Sequence, residues 1–315
     1  MSKTFCHFLW DGITIDNKGN VFSCCHIKPT KMGNIYYSKL KEMINTKEII
    51  ECRKKSLKSN LDCFISCNLL DKSKSSHITD NAIIDYQNLK YLYLNFGEKC
   101  NISCIMCKHP KRYPVNPDML DPSVLKNNID LSPFQDILIQ GGEPLYIAEC
   151  LDFMNHLAKI GKQYIILTNG LLINDTMAEK LVNEAKIVSI SLNAATKETH
   201  EKINRGSNFG IVIENIRRLK TAKERVQSNL IINGRMTLTT CAIKEIPEFL
   251  EKFQQFGFDK INFGYDKATV PKYLDENMEF RNELKQGIKK ILKNFNNTTM
   301  EKIDLLRLKQ LNLIK

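Results

Sequence analysis

Long apolar runs are missing from this sequence. No run of about 18 apolar residues occurs, so no transmembrane helix is predicted. The N-terminus lacks the apolar core of a signal peptide, and internal repeats and low-complexity tracts are absent. Hydrophobic residues still make up 43% of the 315 residues, which is enough to bury a substantial core and excludes general disorder. We therefore expect a cytoplasmic globular protein of one or two domains.

The sequence also lacks the signs of a disulfide framework. Its 11 cysteines are odd in number, follow no export signal and lie in close clusters. In a reducing compartment, clustered thiols indicate metal binding rather than disulfides. The net charge of +11 favours acidic partners such as nucleic acid, phosphorylated metabolites or acidic peptides, although a solvated lysine-rich surface explains the same charge.

Residues 1–75 form a cysteine-rich segment. Apolar and β-branched residues over 8–15 predict a strand, which a turn joins to a second strand at 21–23. Two short helices are predicted between residues 40 and 50. A chain of about 70 residues has a thin core, so a bound metal would contribute much of its stability. Four of the following five thiols can bind one metal centre: Cys6, Cys24, Cys25, Cys63 and Cys67.

A polar linker at 76–87 separates this segment from a longer one at 88–270, in which short apolar runs alternate with amphipathic stretches. Six β–α units in succession predict an α/β fold, with parallel strands curved into a partial (β/α)6 barrel that has an open side. Residues 271–315 predict a C-terminal helical extension that breaks near Asn296–Thr299. The predicted strands lie at 91–96, 136–140, 164–167, 187–192, 236–240 and 260–263. The predicted helices between them lie near 120–129, 146–160, 174–185, 209–227 and 246–256.

The most distinctive residues come directly after the predicted strands, where the loops of parallel β/α barrels build active sites. The first strand leads into Cys100, Cys104 and Cys107, whose C-x3-C-x2-C spacing can hold three corners of an iron–sulfur cube. Three protein ligands on four irons leave one iron open for chemistry. The next three strands end in glycine-rich or small polar segments, at Gln140–Pro144, Thr168–Gly170 and Ser191–Asn193.

Residues 88–266 resemble the radical S-adenosylmethionine (radical SAM) superfamily. The three-cysteine motif after the first strand and the Gly-Gly-Glu-Pro segment Gly141–Pro144 after the second are the motifs that carry the resemblance. It implies that Cys100, Cys104 and Cys107 hold a [4Fe-4S] cluster whose open iron chelates S-adenosylmethionine. One electron, supplied by a flavodoxin- or ferredoxin-type donor, would then cleave the sulfonium and release a 5′-deoxyadenosyl radical.

The resemblance also implies which residues contact S-adenosylmethionine. The Gly141–Glu143 segment would meet the methionyl ammonium, which needs acceptors. Ser191 and Asn193 would contact the ribose or the carboxylate, and Arg205 would pair with the carboxylate. Met106 replaces the aromatic residue usual near the adenine, and it still presents an apolar face. The whole set of predicted cofactor-binding residues is Met106, Gly141, Gly142, Glu143, Pro144, Thr168, Asn169, Ser191, Asn193 and Arg205.

The cysteine-rich segment resembles the twitch or SPASM type of auxiliary-cluster module, which in most relatives comes after the barrel instead of preceding it. The resemblance implies a second, auxiliary [4Fe-4S] cluster that has no open iron and moves electrons. A structural zinc is the alternative, Cys25 can replace Cys24, and Cys52 is interpreted as a buried thiol. The predicted ligands of the auxiliary cluster are Cys6, Cys24, Cys63 and Cys67.

We expect a radical SAM enzyme that abstracts a hydrogen atom from its substrate, with peptide modification as the first hypothesis. Dehydrogenation or epimerisation of a sugar, an aminoglycoside or another small molecule is the alternative. Cys241 is a candidate hydrogen-atom donor, although a packed cysteine is the favoured explanation, and Tyr265 and Asp266 are candidate substrate contacts. The rival from another class is a zinc-stabilised nucleic-acid-binding protein, which predicts a colourless protein with salt-dependent affinity.

Overall fold

The computed structural model describes residues 5–24, 30–61, 63, 67, 70–71, 81–107 and 119–315. Within these residues, no helix is long and apolar enough to cross a membrane. The chain divides into two compact units, the first made of residues 1–99 and 113–164, the second of residues 100–112 and 165–315. Both units contain helices and strands, and the paired strands are mostly parallel, which confirms the predicted α/β class.

Strands and helices alternate along most of the chain, as predicted. In chain order the strands are β1 Phe5–Cys6, β2 Gly12–Ile15, β3 Asn20–Phe22, β4 Lys31–Asn34, β5 Leu70–Asp71, β6 Tyr91–Asn95, β7 Ser103–Cys104, β8 Asp136–Gln140, β9 Tyr164–Thr168, β10 Ala185–Ser191, β11 Asn204–Arg205, β12 Ile231–Leu238, β13 Lys260–Tyr265 and β14 Ile303–Asp304. The helices are α1 Phe8–Asp11, α2 Leu40–Met43, α3 Lys47–Leu57, α4 Pro122–Asn128, α5 Ala148–Lys159, α6 Asp175–Glu184, α7 Lys197–Ile203, α8 Phe209–Arg225, α9 Ile246–Phe256, α10 Val270–Glu276, α11 Met278–Lys293, α12 Asn297–Met300 and α13 Leu306–Gln310.

The first unit is built on a sheet with the strand order β8-β6-β2-β3-β4. β6 and β8 pair in parallel, and buried residues alternate with half-buried ones along both strands, as their apolar pattern predicts. β2 and β3 pair antiparallel, which confirms the predicted hairpin. Asp16 fixes the turn between them, because its carboxylate accepts from the backbone N–H groups of Lys18 and Asn20 at 3.0 and 2.9 Å.

β2 also pairs in parallel with β6 along Gly12–Ile15. The cysteine-rich segment therefore shares a sheet with the first strand of the predicted barrel. The separate domain predicted over 1–75 and the linker predicted over 76–87 stay a prediction. The described end of that linker contacts α1, since the indole N–H of Trp10 donates to the carbonyl of Asn81 at 2.9 Å. Residues 72–80 lie outside the described part of the chain.

The strand predicted over 8–15 is wrong in its first half, where Phe8–Asp11 forms α1. Phe8, Leu9 and Trp10 are buried in succession, which a strand with one solvent face does not allow. The extended strand starts only at Gly12. A Cβ at Gly12 would lie 2.3 Å from the ring of Phe8, so glycine lets this ring pack on the backbone where the helical turn ends.

A buried arginine connects several segments of the first unit. Arg53, on α3, donates to the carbonyl oxygens of Leu9 and Ala82 at 2.7 and 3.1 Å and to Asn45 Oδ1 at 3.0 Å. Burial lowers the pKa of Arg53 from 12.5 to about 10, yet the side chain remains a cation at neutral pH. Its hydrogen bonds offset the desolvation of the charge and join α1, the loop before α3 and the segment before β6.

The second unit holds a sheet with the strand order β9-β10-β12-β13-β14. The pairs β10–β12, β12–β13 and β13–β14 are parallel. Ile232, Met236 and Leu238 on one face of β12 are buried, while α9 places Phe249 against Phe263 of β13 at 6.0 Å between ring centroids. The opposite face of β12 carries polar residues, and β12 starts earlier than predicted because that polar face interrupts the apolar pattern.

The C-terminal region differs from the predicted pair of helices. α11 ends at Lys293 and α12 starts at Asn297, which confirms the predicted break. Asn296 caps α12 by accepting from the backbone N–H of Thr299 at 2.8 Å. The two-residue strand β14 then pairs with β13, with Ile303 opposite Ile261. Such a short strand has no period that a sequence pattern can show.

Candidate functional site

The three-cysteine loop lies in the second unit, where backbone pairing holds its centre. β7, at Ser103–Cys104, pairs antiparallel with β11, at Asn204–Arg205. The N–H of Ile105 donates to the carbonyl of Ile203 at 2.9 Å, and the N–H of Cys107 donates to the carbonyl of Cys104 at 3.1 Å. The middle cysteine is therefore fixed by main-chain hydrogen bonds.

The three thiols of this loop lie near one another. Cys100, Cys104 and Cys107 are half-buried and form no disulfide. Burial raises the pKa of Cys104 from 9.0 to about 12, and the nearby Cys100 and Cys107 raise it further. Soft sulfur ligands from one short loop suit an iron–sulfur cluster, so the residues present fit this group.

Across the described residues, no group of three or more His, Cys, Asp or Glu side chains is arranged to hold a single metal ion. An iron–sulfur cluster is a larger ligand than one ion. It binds each cysteine sulfur at a different iron, so its protein ligands do not have to meet at one point.

Asparagine side chains surround the loop. The thiol of Cys104 donates to Asn204 Oδ1 at 3.2 Å, and Asn193 Nδ2 donates to the same oxygen at 2.9 Å. Asn193 Oδ1 accepts in turn from the backbone N–H of Thr237 at 2.8 Å. The predicted Asn193 therefore reaches the cysteine loop through Asn204. Asn204 itself is not among the predicted residues, and its only sequence signal is its place beside Arg205.

A second asparagine pair lies at the start of the loop. Asn169 Nδ2 donates to Asn101 Oδ1 at 2.7 Å, while Asn169 Oδ1 accepts from the backbone N–H of Leu171 at 3.0 Å. Thr168, just before it, is buried and accepts from the N–H of Gly170 at 3.1 Å. Asn169 thus positions the loop, and the adjacent Thr168 shapes the turn after β9.

His200 extends the polar group around Asn204. Its ring is 1% exposed, lies 3.1 Å from Asn204 Nδ2 and contacts Ser207 Oγ at 3.0 Å. Burial lowers the pKa of His200 from 6.5 to about 4, although Glu201 acts in the opposite direction. The ring is therefore neutral at pH 7.

Because of His200, the free energy of unfolding of the protein should decrease as the pH falls. Its folded-state pKa lies below its unfolded value, so the unfolded chain takes up the proton first. The stabilisation is complete above pH 6.5 and is lost on the way to about pH 4. Between pH 7 and pH 5 we expect a loss of about 2 kcal/mol. Denaturant unfolding at both pH values measures it, and His200→Gln should remove this part of the decrease. An identical pH dependence in that variant would contradict the assignment.

A buried carboxylate stabilises the turn after β10. Glu245, 6% exposed, accepts from the backbone N–H groups of Ala195 and Thr196 at 2.8 and 3.1 Å and from the Thr196 hydroxyl at 2.9 Å. Glu245→Ala should lower the free energy of unfolding by about 3 kcal/mol, because three buried or half-buried donors lose a charged acceptor. Denaturant unfolding measures this, with the exposed Glu251→Ala as control. Equal effects of the two substitutions would refute the role of Glu245.

The Gly-Gly-Glu-Pro segment lies in the first unit against the loop after β6. The N–H of Gly142 donates to the carbonyl of Gly97 at 2.7 Å, and the N–H of Glu143 donates to that of Lys99 at 2.9 Å. A Cβ at Gly142 would lie 2.2 Å from the oxygen of Lys99, and one at Gly141 would lie 2.5 Å from that of Gly97. Both positions therefore need glycine for this close backbone approach.

Glu143 itself is fully buried. Its Oε1 accepts from the backbone N–H of Leu145 at 3.1 Å and caps the turn that Pro144 begins. The carboxylate thus has a structural role in this turn, and its predicted contact with the methionyl ammonium stays a prediction.

The auxiliary thiols lie in the first unit. Burial raises the pKa of Cys6 from 9.0 to about 12, and the neighbouring Cys24 and Cys67 raise it further. Cys24 and Cys67 thus lie within electrostatic reach of Cys6, and the role of these residues as cluster ligands stays a prediction. Cys63 is half-buried, whereas Cys25 lies outside the described residues. Cys52 accepts a hydrogen bond from the Thr30 hydroxyl at 3.6 Å.

The remaining predicted residues have varied surroundings. Asp266 accepts from the N–H of Ala268 at 3.1 Å and from the Thr269 hydroxyl at 2.7 Å, so its carboxylate fixes the turn before α10. Arg205 is exposed on β11. The half-buried members of the predicted set are Met106, Ser191, Cys241 and Tyr265.

Two family models match the chain. The radical SAM superfamily model matches residues 94–232, and the model of SPASM, an iron–sulfur cluster-binding domain, matches residues 6–68. The SPASM match precedes the radical SAM match, which confirms the order predicted from the cysteine patterns. S-adenosylmethionine and iron–sulfur clusters are the cofactors of such domains.

Curated relatives match part of the chain. A probable GTP 3′,8-cyclase of Saccharolobus islandicus is 25% identical over 181 residues, which is 55% of this chain and 56% of the relative. A GTP 3′,8-cyclase of Rhodopirellula baltica is 29% identical over 133 residues, 40% of this chain and 37% of the relative. The chain thus spans about half the length of the first of these relatives and less of the second.

Solved structures of low sequence identity are also similar. Streptococcus suis SuiB bound to the precursor peptide SuiA has 14% identity and a TM-score of 0.47, covering 98% of this chain and 68% of that chain. Native anSMEcpe with bound AdoMet and the Kp18Cys peptide has 17% identity and a TM-score of 0.43, covering 62% of this chain and 59% of that chain.

Proposed function

Since the chain carries a radical SAM domain preceded by a SPASM iron–sulfur domain, we propose that it is an enzyme that abstracts a hydrogen atom from a substrate carbon. The observation that carries this proposal is the three-cysteine loop, whose thiols form no disulfide and whose centre is fixed by β7 and β11. Cys100, Cys104 and Cys107 would hold the [4Fe-4S] cluster. When bound, this group supplies the electron that cleaves S-adenosylmethionine reductively.

The polar residues around the loop position it. Asn204 holds the sulfur of Cys104, and the pair of Asn169 and Asn101 fixes the start of the loop. Because both contacts are made by neutral amides, they orient the loop without adding charge next to the thiols. The predicted S-adenosylmethionine contacts of Ser191 and Arg205 remain part of this proposal.

The auxiliary thiols form the second part of the proposal. Cys24 and Cys67 lie within electrostatic reach of Cys6, and Cys63 would complete four cysteine ligands for a closed [4Fe-4S] cluster. A cluster with four protein ligands has no iron free for substrate. Its role would be electron transfer, and a flavodoxin- or ferredoxin-type protein would be the external donor.

The substrate class has two candidates. Peptide modification is the hypothesis that the SPASM-type domain suggests. A small anionic molecule is favoured by one observation, the half-buried guanidinium of Arg235, which has no acceptor among the described residues. The curated relatives are named for GTP, which is also a phosphorylated small molecule.

The test of the general proposal is an assay of the anaerobically reconstituted chain. We expect a brown protein with about eight irons per chain that converts S-adenosylmethionine to 5′-deoxyadenosine when a strong reductant is added. A colourless protein that contains zinc, binds nucleic acid and forms no 5′-deoxyadenosine would refute it.

Cys241 comes after β12 and is half-buried, so it remains our proposed hydrogen-atom donor. If Cys241 donates a hydrogen atom, the product that the wild type forms in deuterated water should contain solvent deuterium. The product of Cys241→Ala should lack it. Equal deuterium content in both would assign Cys241 to packing.

A further inference from the structure

A row of polar side chains crosses the sheet of the second unit. Ser191 of β10 is the register neighbour of Arg235 on β12, and Arg235 is the register neighbour of Asn262 on β13. Register neighbours in a sheet share a face, and all three residues are half-buried. Two residues earlier on β10 and β12, the same face carries Ser189 and Asn233, which are hydrogen-bonded to each other at 2.8 Å.

Within the described residues, the polar row of Ser191, Arg235 and Asn262 has no such hydrogen-bonded pair. No hydrogen-bond acceptor or carboxylate in the described part of the chain pairs with Arg235. Asn262 Oδ1 is buried, and none of the described residues donates to it. Burial lowers the pKa of Arg235, and the positive charge of Arg307 on α13 lowers it further. A second positive charge therefore acts on the guanidinium of the polar row.

The fold leaves room for the Arg235 side chain at the carboxyl ends of the strands. Gly264 of β13 is the register neighbour of Thr237, two residues beyond Arg235. A Cβ at Gly264 would lie 3.2 Å from Arg235 Nη2 and 3.6 Å from Thr237 Oγ1. The guanidinium thus lies over the glycine, towards the end of the strands where parallel sheets bind their ligands.

A fully buried arginine elsewhere in the chain shows the contacts of a guanidinium that has a structural role. Arg53, in the first unit, donates to three oxygens of its own chain. Arg235 is half-buried, and none of the described residues supplies such oxygens to it. A bound anion would supply them.

We propose that Arg235 and Asn262 bind a phosphate group of the substrate. This inference rests on the proposed function and specifies its substrate class. The positive charge of Arg307 also acts on Arg235, which favours a doubly charged phosphate over a single carboxylate, and the planar fork of arginine matches phosphate oxygens. Asn262 Oδ1 would accept from a hydroxyl or N–H next to the phosphate.

The experiment measures the binding of inorganic phosphate to the reconstituted full chain by calorimetry, with saturating S-adenosylmethionine present. We expect Arg235→Gln to weaken binding at least tenfold, because it removes a charge-assisted pair of hydrogen bonds. Arg217→Gln, which removes an exposed arginine of α8, should bind phosphate as the wild type does. Failure of the wild type to bind, or equal weakening in both variants, would overturn the proposal.

Two further arms separate the alternatives. Tighter binding of succinate than of phosphate, with the same dependence on Arg235, would overturn the phosphate assignment in favour of a carboxylate. Phosphate binding that S-adenosylmethionine abolishes would assign Arg235 to the methionyl carboxylate and overturn the substrate assignment. Neither arm depends on cleavage of S-adenosylmethionine, so failure of the proposed function is seen separately, as absence of 5′-deoxyadenosine.

Asn262→Asp gives a second, independent variant. A carboxylate at this position supplies Arg235 with an internal partner, so we expect a higher Tm and the loss of phosphate binding. A lower Tm together with unchanged phosphate binding would show that the polar row is not the anion site.

Discussion

Replacing Cys100, Cys104 and Cys107 together by alanine should abolish the formation of 5′-deoxyadenosine. The variant should also lose about four irons per chain, because the thiolates of one cluster are removed. The auxiliary thiols lie in the other unit and should keep their cluster. Iron analysis and a chromatographic assay of the reductive cleavage, both on anaerobically reconstituted protein, measure the two effects.

The matched control for this variant is Cys150→Ala. Cys150 is a buried thiol on α5 that lies 3.9 Å from the sulfur of Met154 and is not among the predicted cluster ligands. Its loss should leave the iron content and the cleavage unchanged. Cleavage that persists in the triple variant would mean that another group performs the reaction, and the central proposal would fall.

Arg53→Met should lower the free energy of unfolding by about 4 kcal/mol. The substitution keeps much of the side-chain volume but removes the hydrogen bonds to Leu9, Asn45 and Ala82. Buried carbonyl oxygens then have no donor, and bonds to a charged group contribute about 1.5 to 3 kcal/mol each, partly offset by the desolvation of the charge. Denaturant unfolding followed by circular dichroism measures the change.

Lys55→Met is the control for Arg53→Met, since Lys55 lies on the same helix but is exposed. Its substitution should change the stability by less than about 0.5 kcal/mol. If Arg53→Met is no more destabilising than Lys55→Met, the hydrogen bonds of Arg53 do not hold the first unit together.

The strands of the sheets could be predicted because burial imposes a period on them. β8, for example, alternates buried isoleucines with less buried residues, and its ends match the prediction. α1 and β14 could not be predicted in the same way. Three consecutive buried residues imitate a buried strand in the first case, and two residues are too few for any pattern in the second.

In the candidate site too, residues in a local sequence pattern could be predicted, and residues that depend on distant contacts could not. Cys100, Cys104 and Cys107 could be found because their spacing is local in the sequence. Asn204 reaches Cys104 only through the pairing of β7 with β11, and Arg235 becomes notable only when the structure shows that it has no acceptor within the described residues. Contacts between distant positions, and missing contacts, leave no local pattern.

The parallel pairing of β2 with β6 ties the N-terminal segment to the first strand of the radical SAM region. A chain truncated before residue 88 would keep β6 but lose the strand on one of its sides, and this would expose backbone groups of residues 91–94. Unpaired strand edges with apolar residues promote aggregation. The SPASM segment is therefore expected to fold cooperatively with β6, and exchanging it between proteins would require carrying this strand along.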